Sequence, residues 1–408
     1  MKIELDIAKF KNIKYEQRTR CVICDTKMAA PVIRLPDFPM TEIYSSRPIA
    51  KKVGFLDQSF HFCANCGHGQ LARVIDVELQ YGQNFSYFFR TSESATARES
   101  GDFFLEFFKG AVGDRHFEHI LELGCNDLYV LKTLQSQARQ LTGVDPILKD
   151  KEVEFSKGKI KVIGDFFENI DLDMSKVDGI ICKDTLEHVS DPKGFIKKLV
   201  AAVSDGTLFF FQFPCLETLL EGCRFDQIFH QHLNYFTLKS IFHMLKGLDC
   251  QLLDWQINQN HWGDILIAFQ KGKSGKKVKT IFGDIKVDEI LRRYEHFKHS
   301  MRLTSERLED WKKENIYGYG AALMLPVLKY HLGGAFFYLQ GVIDDDKRKE
   351  GLHYLNLPIR IMTWEHVEDV RNSIVMMTAI ASINNIRNML PKLFQLNPKH
   401  IILPLNMI

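Results

Sequence analysis

Apolar residues fall in short blocks along this chain, and the period within the blocks changes with position. Between Gln83 and Phe108 they are aromatic: Phe85, Tyr87, Phe88 and Phe89, then Phe103, Phe104, Phe107 and Phe108. The later four recur at helical spacing and predict a buried helix face. From His119 onward strands and helices alternate. HILELG (119–124), LTGVD (141–145), GIICKD (179–184) and TLFFFQF (207–213) read as strands, and YVLKTLQSQA (129–138) and PKGFIKKLVAAV (192–203) as helices. Such alternation predicts a parallel, doubly wound sheet. Another strand is expected at 264–269, followed by a Lys-rich stretch, KGKSGKKVKT, that reads as a surface hairpin or linker. A long amphipathic helix is predicted from Val287 to about Asn315, and a second α/β unit after it. That unit has strands in NIYGYG (315–320), FYLQGVIDDD (337–346), SIVMMTA (373–379) and HIILP (400–404), with a helix from Ala321.

The N-terminal part has no helical period and carries Pro31, Pro36, Pro39 and Pro48. Cys21 and Cys24 form one CxxC pair and Cys63 and Cys66 another, with 38 residues between them. Two such knuckles let four thiolates close on one tetrahedral zinc, and a closed four-sulfur site is structural. Gly67 suits a turn that needs positive φ, and His61 and His68 are read as bystanders. The fold class expected is therefore α/β: a small zinc-binding module at 1–82, then two Rossmann-like doubly wound units. The first of these is expected at 83–285, and the second, with its linking helix, at 286–408.

The 408 residues include 53 basic and 51 acidic side chains, a net charge of +2. That balance argues against a nucleic-acid or anionic-membrane binder. No apolar run approaches the ~20 residues of a bilayer span, and the polar start MKIELDIAKFKNIKYEQRTR holds no signal-peptide core, so a cytoplasmic protein is expected. Nine cysteines are an odd number for a disulfide framework. The five outside the knuckles (Cys125, Cys182, Cys215, Cys223 and Cys250) read as packing residues. Nothing in the sequence sets the oligomeric state.

ELGCNDLY places Gly124 at a strand end, and Asp145 follows 21 positions later at the end of the next strand. A glycine turn lets a nucleotide approach the backbone, and the acidic residue can bind ribose hydroxyls. The dinucleotide pattern GxGxxG is absent, since position 126 is Asn and 129 is Tyr. Glu122 with Asp145 instead fits S-adenosylmethionine, which brings no pyrophosphate to neutralise. Asp165 and Phe166, after a third strand, could meet the amino group and ring of adenine.

The order CxxC…CxxC, ELGCNDLYVL, LEHVSDP, FDQIFHQHLNYF and GYGAA resembles the deoxysugar C-methyltransferases over nearly the whole chain. These methylate a carbon next to a ketone in nucleotide-linked sugars, with a zinc-binding N-terminal domain, an S-adenosylmethionine domain and a C-terminal Rossmann-like domain. The resemblance implies that Glu122, Gly124, Asn126 and Asp127 belong to the cofactor motif, with Leu128 where Gly is common, a change that narrows the pocket. It also sets Lys183, within KDTLEH, near the methionine end of the cofactor, and implies a nucleotide-linked sugar as substrate.

Carbon methylation next to a ketone needs a base for a weakly acidic proton and a donor for the enolate oxygen; histidine suits the base. The resemblance implies His232 for that role and His230 for positioning the sugar. The family commonly reads Tyr-His-Glu-His here, whereas this chain has Phe229-His230-Gln231-His232. The change removes a hydroxyl, and Gln231 keeps a hydrogen-bonding group but loses a charge that would raise a nearby histidine's pKa. Tyr87 lies where the family contributes an aromatic hydroxyl. Alternatives are an O- or N-methyltransferase on a related sugar, or a sugar-nucleotide-binding protein without turnover. In the C-terminal unit Gly318, Gly320, Ala321 and Ala322 mimic a nucleotide turn, but bound NAD is not expected there.

Overall fold

The computed structural model describes residues 3, 5–49, 51–76, 79–80, 90–152, 158–259, 263–272, 278, 283–380 and 382–404. Tyr87, the aromatic run before it and most of the Lys-rich stretch lie outside these residues. The N-terminal segment forms β1 (Tyr15–Gln17), β2 (Ile33–Pro39), β3 (Tyr44–Ser45), β4 (Phe55–Cys63), β5 (His68–Leu71) and β6 (Arg73–Ile75). β2, β4 and β5 run antiparallel side by side, and β1 pairs antiparallel with β6. The second CxxC spans the β4–β5 turn. Gly67 there has φ +78, and a Cβ would come within 3.0 Å of the Thr237 hydroxyl.

The aromatic helix is Ala95–Val112, capped by the Ser94 hydroxyl, with Phe104, Phe107 and Phe108 buried and Phe103 half-buried. The central strands follow as β7 (Phe117–Leu123), β8 (Ala138–Val144), β9 (Ile160–Ile163), β10 (Gly179–Lys183) and β11 (Leu208–Pro214). The helix predicted over 129–138 stops at Thr133. Ala138 is already extended, paired with Phe117 of β7, and this tertiary pairing overrides the local helical pattern. Next come β12 (Asn234–Tyr235), β13 (Cys250–Asn258) and β14 (Asp264–Lys271). The central sheet has the order β13-β14-β11-β10-β7-β8-β9, parallel from β9 to β11 and closed at one edge by the antiparallel β13–β14 pair. The chain order reverses between β7 and β10, which opens a crevice at the carboxyl ends of those strands. β12 does not join this sheet. It pairs antiparallel with β5, so the segment 224–236 leaves one sheet and is stitched into the other.

A helix from Val287 to Asp310 leads into β15 (Ile316–Tyr319), β16 (Leu339–Ile343), β17 (His353–Tyr354), β18 (Ile361–Met362), β19 (Ile374–Met377) and β20 (His400–Ile402). The expected helix from Ala321 begins at Leu325. Five strands form an all-parallel sheet, β18-β16-β15-β19-β20, with its own reversal between β15 and β19. β17 pairs antiparallel with β3, tying this sheet to the N-terminal segment. One buried cluster runs through Phe38, Phe60, Phe229, Tyr235, Phe297 and Tyr319, so these parts share a core, while two further clusters pack the faces of the central sheet. Among the described residues no helix is long and apolar enough to cross a membrane.

Candidate functional site

A cavity of about 810 Å³ opens at the reversal of the central sheet. Its floor is the turn after β7, where Gly124 adopts φ +73 and donates to the Val144 carbonyl at 2.8 Å. A Cβ at Gly124 would lie 2.0 Å from the Thr185 hydroxyl, so glycine is required on both counts. Glu122, Asn126, Asp145, Asp165, Phe166 and Lys183 also line the cavity. Asp127 does not. Its carboxylate turns to Ser92, accepting from the backbone N–H at 2.9 Å and from the hydroxyl. Leu128 is fully buried in the core behind the turn and does not line the cavity, although it holds φ +67. The pocket is therefore not narrowed by the side chain that replaces the usual glycine.

The carboxylates are unevenly satisfied. Asp145 Oδ2 accepts from Asn126 N at 2.7 Å and Oδ1 from Ile147 N at 3.0 Å, and burial pushes its pKa up. Burial pushes the Glu122 carboxyl far above the usual range, and its Oε2 meets no hydrogen-bond donor among the described residues. Lys183 is paired with Asp184. Asp165 sits at the rim, its pKa held down by the Asn169 amide at 3.0 Å. A site of buried carboxylates with little cationic compensation fits a ligand that brings positive charge, as a sulfonium and an ammonium would.

The histidine segment is divided. His230 is buried with both ring nitrogens engaged, Nδ1 with the Gln58 amide at 3.3 Å and Nε2 with the Phe38 carbonyl at 3.1 Å; burial lowers its pKa to about 4. The Gln231 side chain grips Thr41, accepting from its hydroxyl at 2.7 Å and donating to its carbonyl at 3.2 Å. These two residues fasten the segment to the N-terminal sheet and are absent from the cavity wall. His232 lies just behind that wall, its ring 4.0 Å from Phe229 and 5.0 Å from His188. His188 does line the cavity and holds the Gln231 carbonyl at 2.8 Å through Nδ1. Burial lowers the pKa of both His188 and His232, which keeps them in the neutral, proton-accepting form.

Several site residues escape sequence reasoning. β1 and β6 roof the cavity through Tyr15, Glu16, Val74 and Ile75. Arg18, half-buried, donates to the Leu233 carbonyl at 2.9 Å and to the Ser190 carbonyl, clamping both histidine-bearing loops from the N-terminal side. These two partners lie 215 and 172 positions away, so no local pattern could announce the role. For His188 the signal was present in LEH, five positions after Lys183 in the segment set near the methionine end of the cofactor.

Cys21, Cys24, Cys63 and Cys66 converge so that all four sulfurs lie within 4.8 Å of one another, with Cys21–Cys66 at 3.6 Å and Cys24–Cys63 at 3.4 Å. None is in a disulfide. Four thiols so close could hold a tetrahedral metal ion, and their donor set suits zinc.

Residues 66–254 match a family model described as a methyltransferase domain. A curated relative, the C-methyltransferase NovU of Streptomyces niveus, is 20% identical over 231 residues, 56% of this chain; the chain spans about half the length of that relative, 54%. Among solved structures, the chain is similar to the N-methyltransferase NodS of Bradyrhizobium japonicum with bound S-adenosyl-L-homocysteine (13% identity, 44% of this chain and 89% of that one, TM-score 0.36). It is also similar to the magnesium protoporphyrin IX methyltransferase of Synechocystis with the same ligand (12% identity, 43% and 84%, TM-score 0.34). Residues 66–254, which carry most of the cavity wall and of the central sheet, are thus similar to a methyltransferase domain.

Proposed function

We propose that the protein is an S-adenosylmethionine-dependent C-methyltransferase acting next to a ketone of a nucleotide-linked keto-deoxysugar. The observation that carries this reading is the cavity at the central reversal, lined by the buried carboxylates of Glu122 and Asp145 and by His188, with His232 packed against His188. Its volume lies toward the upper part of the roughly 300–1,000 Å³ usual for small-molecule sites, which suits a cofactor with part of a second molecule. The likeness to a C-methyltransferase supports carbon as the acceptor. Glu122 and Asp145 face the cationic cofactor, with Gly124 and Asn126 forming the turn beneath it. Asp165 and Phe166 meet the base, and Asp127 braces the turn from behind. His232 takes the proton next to the ketone, reached past His188, and the enolate carbon then displaces the methyl group from sulfur. His230 and Gln231 hold the segment in register. Tyr87, outside the described residues, supplies the hydroxyl that Phe229 lacks. The four cysteines bind one structural zinc, and residues 1–82, 83–285 and 286–408 are the zinc module, the methyltransferase domain and the C-terminal Rossmann-like domain.

A second reading, O- or N-methylation of a related sugar nucleotide, is favoured by one observation: Gln231 is committed to Thr41 and Phe229 has no donor, so neither holds an enolate. Deuterium wash-in next to the ketone separates the two, because only C-methylation requires enolisation; methyl transfer without exchange selects the second. Absence of S-adenosylmethionine binding in calorimetry at millimolar cofactor would sink both. Metal analysis should find one zinc per chain, and substantially less would refute the zinc site.

A further inference from the structure

The roof of the cavity comes from outside the central sheet. Tyr15 and Glu16 of β1 and Val74 and Ile75 of β6 line it, and these two strands form a sheet of their own with three residue pairs. A two-stranded ribbon is at best marginally stable without further support. β6 has that support, since Ala72 N donates to the Ser59 carbonyl at 3.1 Å and Arg73 N to Gln58 Oε1 at 3.0 Å. The residues of β1 are all exposed, so this strand depends on what holds its two ends. At one end Phe10 and Ile13 are buried in a cluster with Ile75. At the other stands Arg18, its backbone N–H on the Ala72 carbonyl at 2.7 Å.

The Arg18 side chain reaches from this roof to the cavity wall. Nη1 donates to the Leu233 carbonyl at 2.9 Å, with longer contacts at 3.4 Å to the Leu71 carbonyl and Asn234 Oδ1, and Nη2 donates to the Ser190 carbonyl. Ser190 and Leu233 both line the cavity. Their loops are braced against each other, Leu233 N donating to the Glu187 carbonyl at 2.8 Å and Asn234 Nδ2 to the Val189 carbonyl at 2.7 Å. Among the described residues no carboxylate pairs with Arg18, and Asp191 acts on it electrostatically. Its bonds therefore go to the wall, across a span that a rigid planar guanidinium bridges and a single ammonium does not. We propose that Arg18 is a positioning residue that latches the β1 roof to the cavity wall over the bound cofactor, and thereby sets how slowly the cofactor leaves. The inference rests on the cavity being the S-adenosylmethionine site but not on which atom is methylated. Arg18 is itself absent from the cavity lining, so it acts through the roof and wall rather than by touching the cofactor. Latch bonds hold a closed site, so their loss is read in dissociation more than in association.

The test uses the full chain with radiolabelled S-adenosylmethionine bound, and follows its release after excess unlabelled cofactor is added. Arg18→Ala should release the label at least about tenfold faster, with the association rate within about twofold of wild type. A role in stability alone would lower the folded fraction and leave the release rate from folded molecules unchanged. Arg20→Ala, two positions along the same segment and paired only with the exposed Asp25, should release at the wild-type rate. Wild-type release from folded Arg18→Ala, a change confined to its association rate, or equal acceleration in Arg20→Ala overturns the latch. If Arg18→Ala fails to fold by circular dichroism, Arg18→Lys carries the test, because it keeps the charge but not the span. Release from Arg18→Lys should then be faster than wild type, and an unchanged rate overturns the latch. Binding by the wild type separates the failures. Cofactor binding with equal release rates removes only the latch, whereas no wild-type binding at millimolar S-adenosylmethionine removes the methyl-transfer reading as well.

Discussion

Both parallel sheets place the same hydrogen bond after their first strand. Asn126 N donates to Asp145 Oδ2 in the central sheet and Ala321 N to Asp344 Oδ2 in the C-terminal one, each at 2.7 Å. What surrounds that bond is opposite in the two. In the C-terminal sheet Lys349 Nζ reaches both the Ala321 carbonyl at 3.0 Å and Asp344 at 3.3 Å. Tyr319 and Lys392 hold Asp345 at 2.6 and 2.5 Å, and Arg348 holds Asp346 at 2.7 Å. The Tyr354 hydroxyl closes on the Ala322 carbonyl at 2.7 Å. Every carboxylate of the turn has its cation or donor from the chain itself. In the central sheet Glu122 and Asp145 are pushed up by burial, and a cavity stands where the C-terminal sheet has lysine and tyrosine. The glycine turn and the following aspartate are thus common to both sheets, and what differs is the cavity and the balance of charge around them.

The sharpest way to break this contrast is to put a methyl group on each turn glycine. Gly124→Ala should reduce S-adenosylmethionine affinity at least about 100-fold, because the Cβ meets Thr185 at 2.0 Å on the cavity floor. Gly320→Ala is as crowded, at 2.3 Å from Ala379 Cβ with φ +100, and should cost about 1–3 kcal/mol of stability. Its cofactor affinity should match the wild type. Calorimetry and urea unfolding on both variants check this, and equal losses of affinity would end the comparison.

Next in size is removal of the cation that fills the C-terminal turn. Lys349→Met leaves the half-buried Asp344 with backbone donors only and should destabilise by about 2–3 kcal/mol in urea unfolding. A neutral result would mean that Lys349 is not what satisfies this crevice.

The electrostatic difference also predicts a pH signature. Glu122 has a raised pKa in the ligand-free fold, so the folded state binds more protons than the unfolded state. Its contribution is fully present below the unfolded value near 4.5 and is lost as pH rises toward the folded value, by up to about 1.4 kcal/mol per pH unit. Relative to Glu122→Gln, the ligand-free protein should thus lose stability as pH rises from 5.5 to 8, and saturating S-adenosylmethionine should offset that difference. The buried histidines, with lowered pKa values, act in the opposite direction and cancel in the comparison. Asp346, held down by Arg348, works in the other direction, its contribution being lost only as pH falls below the ordinary aspartate value. Melting curves from pH 5.5 to 8 in which the difference between wild type and Glu122→Gln does not change with pH would contradict the reading of Glu122.

The contrast between the sheets was only half visible in the sequence. Strand and helix periods located both parallel sheets, and Glu122, Gly124 and Asp145 were legible because a strand-end turn concentrates its chemistry within a few positions. The role of Lys349 was not, since it acts through the Ala321 carbonyl 28 positions earlier. The histidine segment was harder still. His230 and Gln231 carry the residue types of a catalytic loop, yet their polar groups are taken by Gln58, Phe38 and Thr41, 172 to 192 positions away. That pairing follows from β12 joining β5, a register that no local period encodes. It moves His188, rather than His230, to the cavity wall.

The smallest expected effect on the cofactor tests the turn itself. Leu128 occupies a left-handed conformation, at a cost of about 1–2 kcal/mol for a residue with a Cβ, and offsets it by burying its side chain completely against the neighbours of Gly143. Leu128→Gly relieves the backbone but empties that space, and large-to-small core changes cost about 2.7–5 kcal/mol. The net loss of stability should be about 1–3 kcal/mol. Affinity for S-adenosylmethionine should shift by less than about threefold, below 0.7 kcal/mol, because the side chain points into the core and not into the cavity. A tenfold gain in affinity would instead show that Leu128 restricts the pocket after all. The central turn would then be partly filled by its own chain, as the C-terminal one is.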